Sequence, residues 1–447
     1  VRTKLSTMFQ SLQIRNYRLF ASGQLIKLIG VWMMFIAQDW LVLDLSGDSA
    51  TALGIVTALQ FAPVLLLTLL SGRLADRYDK RLLLFVANAF WSVLALGMSL
   101  LVLTGLVQLW HVYLFAVLLG VANAVEVPVR QAFVSELVGT PLLPNALALS
   151  AATFNSARII GPALAGVAIA LVDVGPVFLV SALSSLAPLA NVVRMNPAEL
   201  YREDLRPVKE RDSAKVVDGL RYVAKRPDLL LPMALMSVIG MSLFNFQITL
   251  AALAKTVFNT GAASFGLFTT TLAVGSLAGA LAGSGRRSRP SVWTVLGAAV
   301  ACSVFGVLVG LAPAYWLVVA LLLPTGFFVL YFAQAANQRV QLGTDAAFRG
   351  RVMALWVLVF LGTNPVGAPL IGWVAETYGA GVSIWAGGLI SLTVALIALT
   401  WQLRRSGARI RLRVHPLPRL YVVPPPTVDL PGRGTCGTRV PAEAGVR

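Results

Sequence analysis

Charge is scarce in this chain. Only 12% of its 447 residues are Asp, Glu, Lys or Arg, too few to clothe an ordinary soluble domain of that length. Cysteine is nearly absent: Cys302 lies inside an apolar run and Cys436 near the end, so neither a disulfide framework nor a thiolate metal site is available. The two histidines, His111 and His415, stand alone, and there is no H-E-x-x-H pair or serine-nucleophile elbow. A G-x-x-x-x-G-K-[ST] loop is also missing, which excludes a Walker-type ATP site. The sequence therefore predicts no metal, no cofactor and no enzymatic activity.

Apolar residues are abundant, at 57% of the chain with a mean hydropathy of +0.78. They fall into twelve runs near the length that crosses a bilayer, at 19–43, 50–74, 82–104, 109–128, 146–171, 174–193, 230–256, 262–283, 292–311, 314–336, 352–374 and 381–403. The expected fold is an all-α membrane protein of twelve transmembrane helices in two pseudo-symmetric six-helix bundles. A segment 1–18 precedes the first bundle (19–193), a polar linker (194–229) separates it from the second (230–403), and a basic tail (404–447) follows. Apolar spacing over 212–225 predicts a short surface helix in the linker. The tail, rich in Arg, Pro and Gly, cannot bury a core and is expected to be disordered. The first residues hold no separate cleavable signal pattern, so insertion is expected to begin with the first run.

Basic residues outnumber acidic ones, 36 to 19. They cluster before the first run (Arg2, Lys4, Arg15, Arg18) and after the second (Arg73, Arg77, Lys80, Arg81), the eighth (Arg286, Arg287, Arg289) and the tenth (Arg349, Arg351). The alternate connections carry Asp44, Asp48, Asp173 and Glu376, with Lys255 the exception. The positive-inside rule then puts both termini in the cytoplasm of a cell membrane. The formal charge of +17 reads as this bias plus contact with anionic lipid, not as nucleic-acid binding.

The halves echo each other. Residues 145–166 align without gaps on 351–372, placing Gly161 and Gly166 on Gly367 and Gly372 with a proline beside the first of each pair. Such repeats are expected of two bundles facing each other across an axis along the membrane normal. Gly161-Pro162-Ala-Leu-Ala-Gly166 either bends and seals its helix against a neighbour or simply packs it, because Pro162 frees a carbonyl and the glycines admit close backbones.

Polar residues within the runs are functional candidates. Arg158 is too deep to snorkel, so it faces a cavity or a carboxylate. Glu126 and Arg130, four apart, share a helical face as an anchoring ion pair or a proton-carrying one. Asp39, in the outer part of the first run, is the second carboxylate candidate or else only caps or pairs locally. Lys27 either snorkels or lines a cavity. Gln24, Gln60, Asn155, Asn245, Gln247, Gln334, Asn337 and Asn364, alongside aromatic residues such as Phe61, Trp91, Phe154, Phe244, Phe246, Tyr331, Phe332 and Trp356, are expected mostly to make helix-to-helix hydrogen bonds or face lipid, with an unspecified subset lining a pocket for an amphipathic organic solute.

The turn Gly72-Arg-Leu-Ala-Asp76-Arg77-Tyr-Asp79-Lys80-Arg81, between the second and third runs, resembles the loop signature of the major facilitator superfamily, with Asp79 where that family has Gly. The Gly161–Gly166 stretch resembles its antiport motif, with Ala165 replacing one Gly. Asn16-Tyr17-Arg18, Gln38-Asp39-Trp40 and Pro128-Val-Arg130-Gln131 look like the branch holding enterobactin exporters and macrolide efflux proteins. The resemblance spans about residues 14–403. It implies export of a small organic molecule by a monomer in which two bundles rock about a central site, with protons moving the other way and the Gly72–Arg81 loop latching one side. An uptake permease of the same fold, or a non-transporting receptor, would be the alternatives.

Overall fold

Backbone polar groups in hydrocarbon must be satisfied within their own segment, and every apolar run is accordingly helical. The computed structural model describes residues 9–201, 216–284, 286, 288–345, 348–406, 409–413 and 419–423. Side chains at 68–73, 75–76 and 216–217, and those of the strands, lie outside the described residues.

The first half comprises α1 (Arg15–Ser46), α2 (Ala50–Arg77), α3 (Lys80–Leu103), α4 (Leu109–Val172), α5 (Val174–Ser184) and α6 (Leu186–Arg194). After the linker helix α7 (Val216–Ala224), the second half comprises α8 (Pro227–Ser242), α9 (Phe246–Ala252), α10 (Ala262–Ser284), α11 (Val292–Leu311), α12 (Tyr315–Gly343), α13 (Arg349–Tyr378) and α14 (Ala380–Ser406). The described residues form eleven helical stretches long and apolar enough to cross a membrane. One of these, α4, has 64 residues and crosses twice, which restores the expected twelve crossings.

Three elements depart from the sequence expectation. The loop expected between 128 and 146 is helical except at Gly139, whose φ of 67° reverses the chain between two arms of α4. A β-carbon there would also meet the Tyr201 ring at 3.3 Å. The run at 230–256 is broken at residues 243–245 between α8 and α9 and ends in a turn of π-helix, Leu253–Val257. Within the tail, α14 continues to Ser406. Beyond it β1 (Arg409–Arg413) pairs antiparallel with β2 (Arg419–Val423), where disorder was expected. Arg alternates with Ile and Leu along β1, the period-two pattern of a strand. Residues 424–447 lie outside the described residues.

The family-like turn is explained locally. Asp79 is the N-cap of α3, accepting from the Arg81 amide at 2.8 Å, so a carboxylate serves where glycine was expected. Arg81 donates to the carbonyls of Val192 and Val193 at 2.8 and 3.1 Å, and Lys80 pairs with Glu136 at 2.6 Å. The Asn16-Tyr17 pair does related work. Asn16 exchanges two hydrogen bonds with Asn196, and the buried Tyr17 hydroxyl donates to Ala146 O at 2.8 Å beside a core of Phe20, Leu84, Phe133 and Leu137. Arg77 is exposed over the Tyr78 ring. The side chains of Gly72 and Asp76, and with them the expected latch, lie outside the described residues.

A β-branched side chain at positive φ is strained by roughly 1–2 kcal/mol. Gly139→Val is expected to lower the thermal unfolding midpoint in detergent by several degrees, whereas Gly97→Ala, in open space on α3, should leave it unchanged or raise it.

Candidate functional site

Of the buried charges in the first half, three form one cluster. Glu126 on α4 is held by Lys27 Nζ from α1 at 3.1 Å and by Arg130 Nε, one turn along, at 3.2 Å. Lys27 also sits 5.4 Å from the centre of the Trp91 ring on α3. Lys27 is 3% exposed and Glu126 6%. Lys27 therefore neither snorkels nor lines the cavity described below, contrary to both expectations. α1 begins at Arg15, twelve residues earlier, so Lys27 lies about 18 Å along the helix, beyond the reach of its stem. Asn155 donates to Ala151 O within its own helix.

The two halves meet in a seam at one end of the bundle. Lys255, in the π-turn, bonds Asp44 and reaches Asp48 at 2.7 Å, which accounts for the cation that the charge pattern left on that side. Glu376 on α13 accepts from Ser49 Oγ at 2.6 Å and from the Thr51 amide at 2.9 Å. Gln247 on α9 donates to Asp39 on α1 at 2.6 Å; Asp39 is 5% exposed, and this neutral amide is its only hydrogen-bond partner among the described residues.

Glycines bring the backbones together along the same seam. A β-carbon on Gly266 would lie 2.5 Å from the Pro162 carbonyl oxygen, and one on Gly372 would lie 2.3 Å from that of Ala50. Gly166 packs against Ala262 and Gly266. Gly161 meets Trp32 and Ile29 of α1 inside its own half, and Gly367 makes room for Met241 and Asn245 at the α8–α9 break. Three of the motif positions, Pro162, Gly166 and Gly372, thus pack the two halves together. At the opposite end, the described ion pairs stay on one side of the molecule: Lys80–Glu136 in the first half, and Arg226–Asp228–Arg289 between the linker and the second. Hydrogen bonding to Asp228 holds the Arg226 guanidinium above its ordinary value.

Beside the seam, toward the Lys80 end, lies a cavity of about 190 Å³. The first half contributes Trp32 and Ile36 of α1 and Arg158 and Pro162 of α4. The second contributes Phe244 and Phe246 at the α8–α9 break, Gln247, and Thr269, Leu272 and Ser276 of α10. Val329, Leu330 and Phe360 complete it. Arg158 is near the middle of its arm, as its depth required, with its guanidinium 5.8 Å from the centre of the Trp32 ring. Sequence reading named Arg158, Phe244, Phe246 and Gln247 but missed Trp32, Thr269, Ser276 and Phe360. The available signal was the polar and aromatic run Phe244-Asn245-Phe246-Gln247 inside an apolar stretch, which marks a discontinuous helix.

Two six-helix halves sealed at one end around a mixed polar and aromatic cavity make a membrane transporter of the major facilitator type. A model of the transmembrane secretion effector family matches residues 6–423, and the chain belongs to that family. Among curated proteins it is 33% identical to the staphyloferrin A transporter of Staphylococcus aureus over 37% of this chain and 41% of that one. It is 23% identical to the enterobactin exporter EntS of Citrobacter koseri over 87% and 92%, and 25% identical to the multidrug efflux pump Tap of Mycolicibacterium fortuitum over 83% and 91%. In fold it resembles a solved POT family transporter (TM-score 0.70, 12% identity, 87% of this chain and 96% of that one). It is also similar to a bacterial Spinster homologue in an inward-facing conformation (TM-score 0.67, 12% identity, 86% and 94%).

Removing one member of a buried ion cluster strands the others. Glu126→Gln leaves Lys27 and Arg130 without an anion and is expected to cost on the order of 3–5 kcal/mol. Adding Lys27→Met should restore most of the loss in expression and thermal midpoint; equal instability of the single and double variants would contradict the pairing.

Proposed function

We propose that this protein exports a small organic molecule across the cytoplasmic membrane by alternating access, with a proton entering in exchange. The Lys255 end faces outward and both termini face the cytoplasm, in keeping with the basic residues gathered at the Lys80 end. The described conformation is then closed to the outside. The two halves rock about the cavity, and export requires the Lys255–Asp44–Asp48 and Glu376–Ser49 contacts to part. Relatives named as siderophore and drug exporters support the direction of transport.

The observation that carries the coupling is the setting of Asp39. Glu126 is locked between two cations inside one half, whereas Asp39 lies in the seam itself with a neutral amide from the other half. The remaining charges around it are Arg158 in the neighbouring cavity and, one to three turns further out, Lys255 with Asp44 and Asp48. A carboxylate sealed there without a cation is stable as the neutral acid. Opening the seam hydrates it and lets it ionise. Asp39 therefore takes up its proton from the outside as the seam closes, and for net entry it gives that proton up to the cytoplasm by way of the cavity, to which Gln247 joins it, before the seam parts again. A membrane potential of 100 mV contributes about 2.3 kcal/mol for one proton entering, roughly a fifty-fold gradient of substrate.

In proteoliposomes of known orientation, proton movement triggered by substrate is expected in the wild type and lost in Asp39→Asn, and should survive in the Lys27→Met, Glu126→Gln double variant. A pH-sensitive dye and a panel of siderophores, macrolides and lipophilic cations provide the readout. Outward transport without proton movement would sink the coupling, and accumulation in the inward direction would replace export by uptake.

A further inference from the structure

Among the described residues, Arg158 is the only charged one lining the cavity, and no carboxylate lies within ion-pair distance of its guanidinium. An unpaired guanidinium at this depth is costly. Its one close partner is the face of Trp32, which neutralises no charge. A second donor is also left over, because the Trp32 indole Nε1–H is buried without an acceptor. The other polar lining groups do not compensate. The Thr269 and Ser276 hydroxyls donate to the carbonyls of Phe265 and Leu272 in their own helix, and Gln247 is engaged with Asp39. The cavity therefore offers the positive charge of Arg158 at one point, with Phe244, Phe246 and Phe360 forming apolar walls.

We infer that the cavity binds an organic anion, with a carboxylate or a similarly charged oxygen pair on Arg158 and an attached aromatic ring between the phenylalanines. This rests on the reading of the cavity as the transported molecule's site. A planar guanidinium suits two anionic oxygens side by side. The volume of about 190 Å³ is below the ~300–1,000 Å³ usual for drug-sized ligands, so this conformation encloses one substituted ring and its acidic group. The charge also favours export: an anion leaving a cell with a negative interior moves down the membrane potential, in the same electrical sense as a proton entering.

The test is equilibrium binding to protein in lipid nanodiscs, read by fluorescence anisotropy, of 7-hydroxycoumarin-3-carboxylate and its isosteric carboxamide. The carboxylate is expected to bind the wild type at least tenfold more tightly than the carboxamide. Arg158→Gln should bring that ratio close to one, and Arg158→Lys should retain a several-fold preference. Phe246→Leu should weaken both probes alike and keep the ratio. Thermal midpoint and elution profile establish that each variant is folded. No preference in the wild type, or a preference that survives Arg158→Gln, would overturn the assignment. Because binding is read without transport, anion selectivity in a protein that moves nothing outward would leave the ligand class standing and remove only the export reading. Transport without anion selectivity would do the reverse.

Discussion

A charge inside a bilayer must find a partner or a wet cavity, and this constraint sorts the few intramembrane charges of the chain into distinct roles. Glu126 has two cations and holds α1 to α4 within one half. Asp44 and Asp48 share Lys255 across the halves, where a contact holds only as long as the halves are together. Asp39 has a neutral amide from the opposite half, and Arg158 has only an aromatic face. The first pattern is structural; we propose that the second is a gate and that the last two leave a charge state to be completed by something that moves.

Backbone contact makes the gate tight. Gly166 against Gly266 and Gly372 against Ala50 leave no room for side chains, so this end closes by helix touching helix. Such a surface has two states, packed or parted, and no gradual one. Beside it, the break at residues 243–245 delivers Phe244, Phe246 and Gln247 into the cavity. Gln247 belongs to both sites: it lines the cavity and holds Asp39 in the seam. In the proposed mechanism a ligand that shifts Gln247 also disturbs Asp39, which gives substrate and proton a shared element to bias.

Much of the fold was legible because lipid leaves little choice: an apolar run of about 20 residues must be helical, and its charged ends orient it. The repeat carrying Gly161, Gly166, Gly367 and Gly372 marked helices that meet closely, and the depth of Arg158 implied either a cavity or a partner carboxylate. Which residues surround that cavity could not be read from the chain, because Trp32, Thr269, Ser276 and Phe360 come from three helices and have ordinary identities for a membrane segment. The fate of Lys27 depended on Glu126, 99 residues away, and no local pattern connects them. Gly139 was hidden because residues 129–145, polar enough to resemble a loop, continue both helices.

The claim at the centre is that the proton on Asp39 governs the seam at the Lys255 end. Spin labels at Leu106 and Ala314, in the loops of the two halves at that end, would report it by double electron–electron resonance, in a background with Cys302 and Cys436 replaced by serine. Since the closed seam favours the protonated acid, raising the pH is predicted to move the wild type from a short-distance to a long-distance population, and Asp39→Asn should stay short at every pH. A wild-type distance that ignores pH, or a pH response that persists in Asp39→Asn, would contradict it.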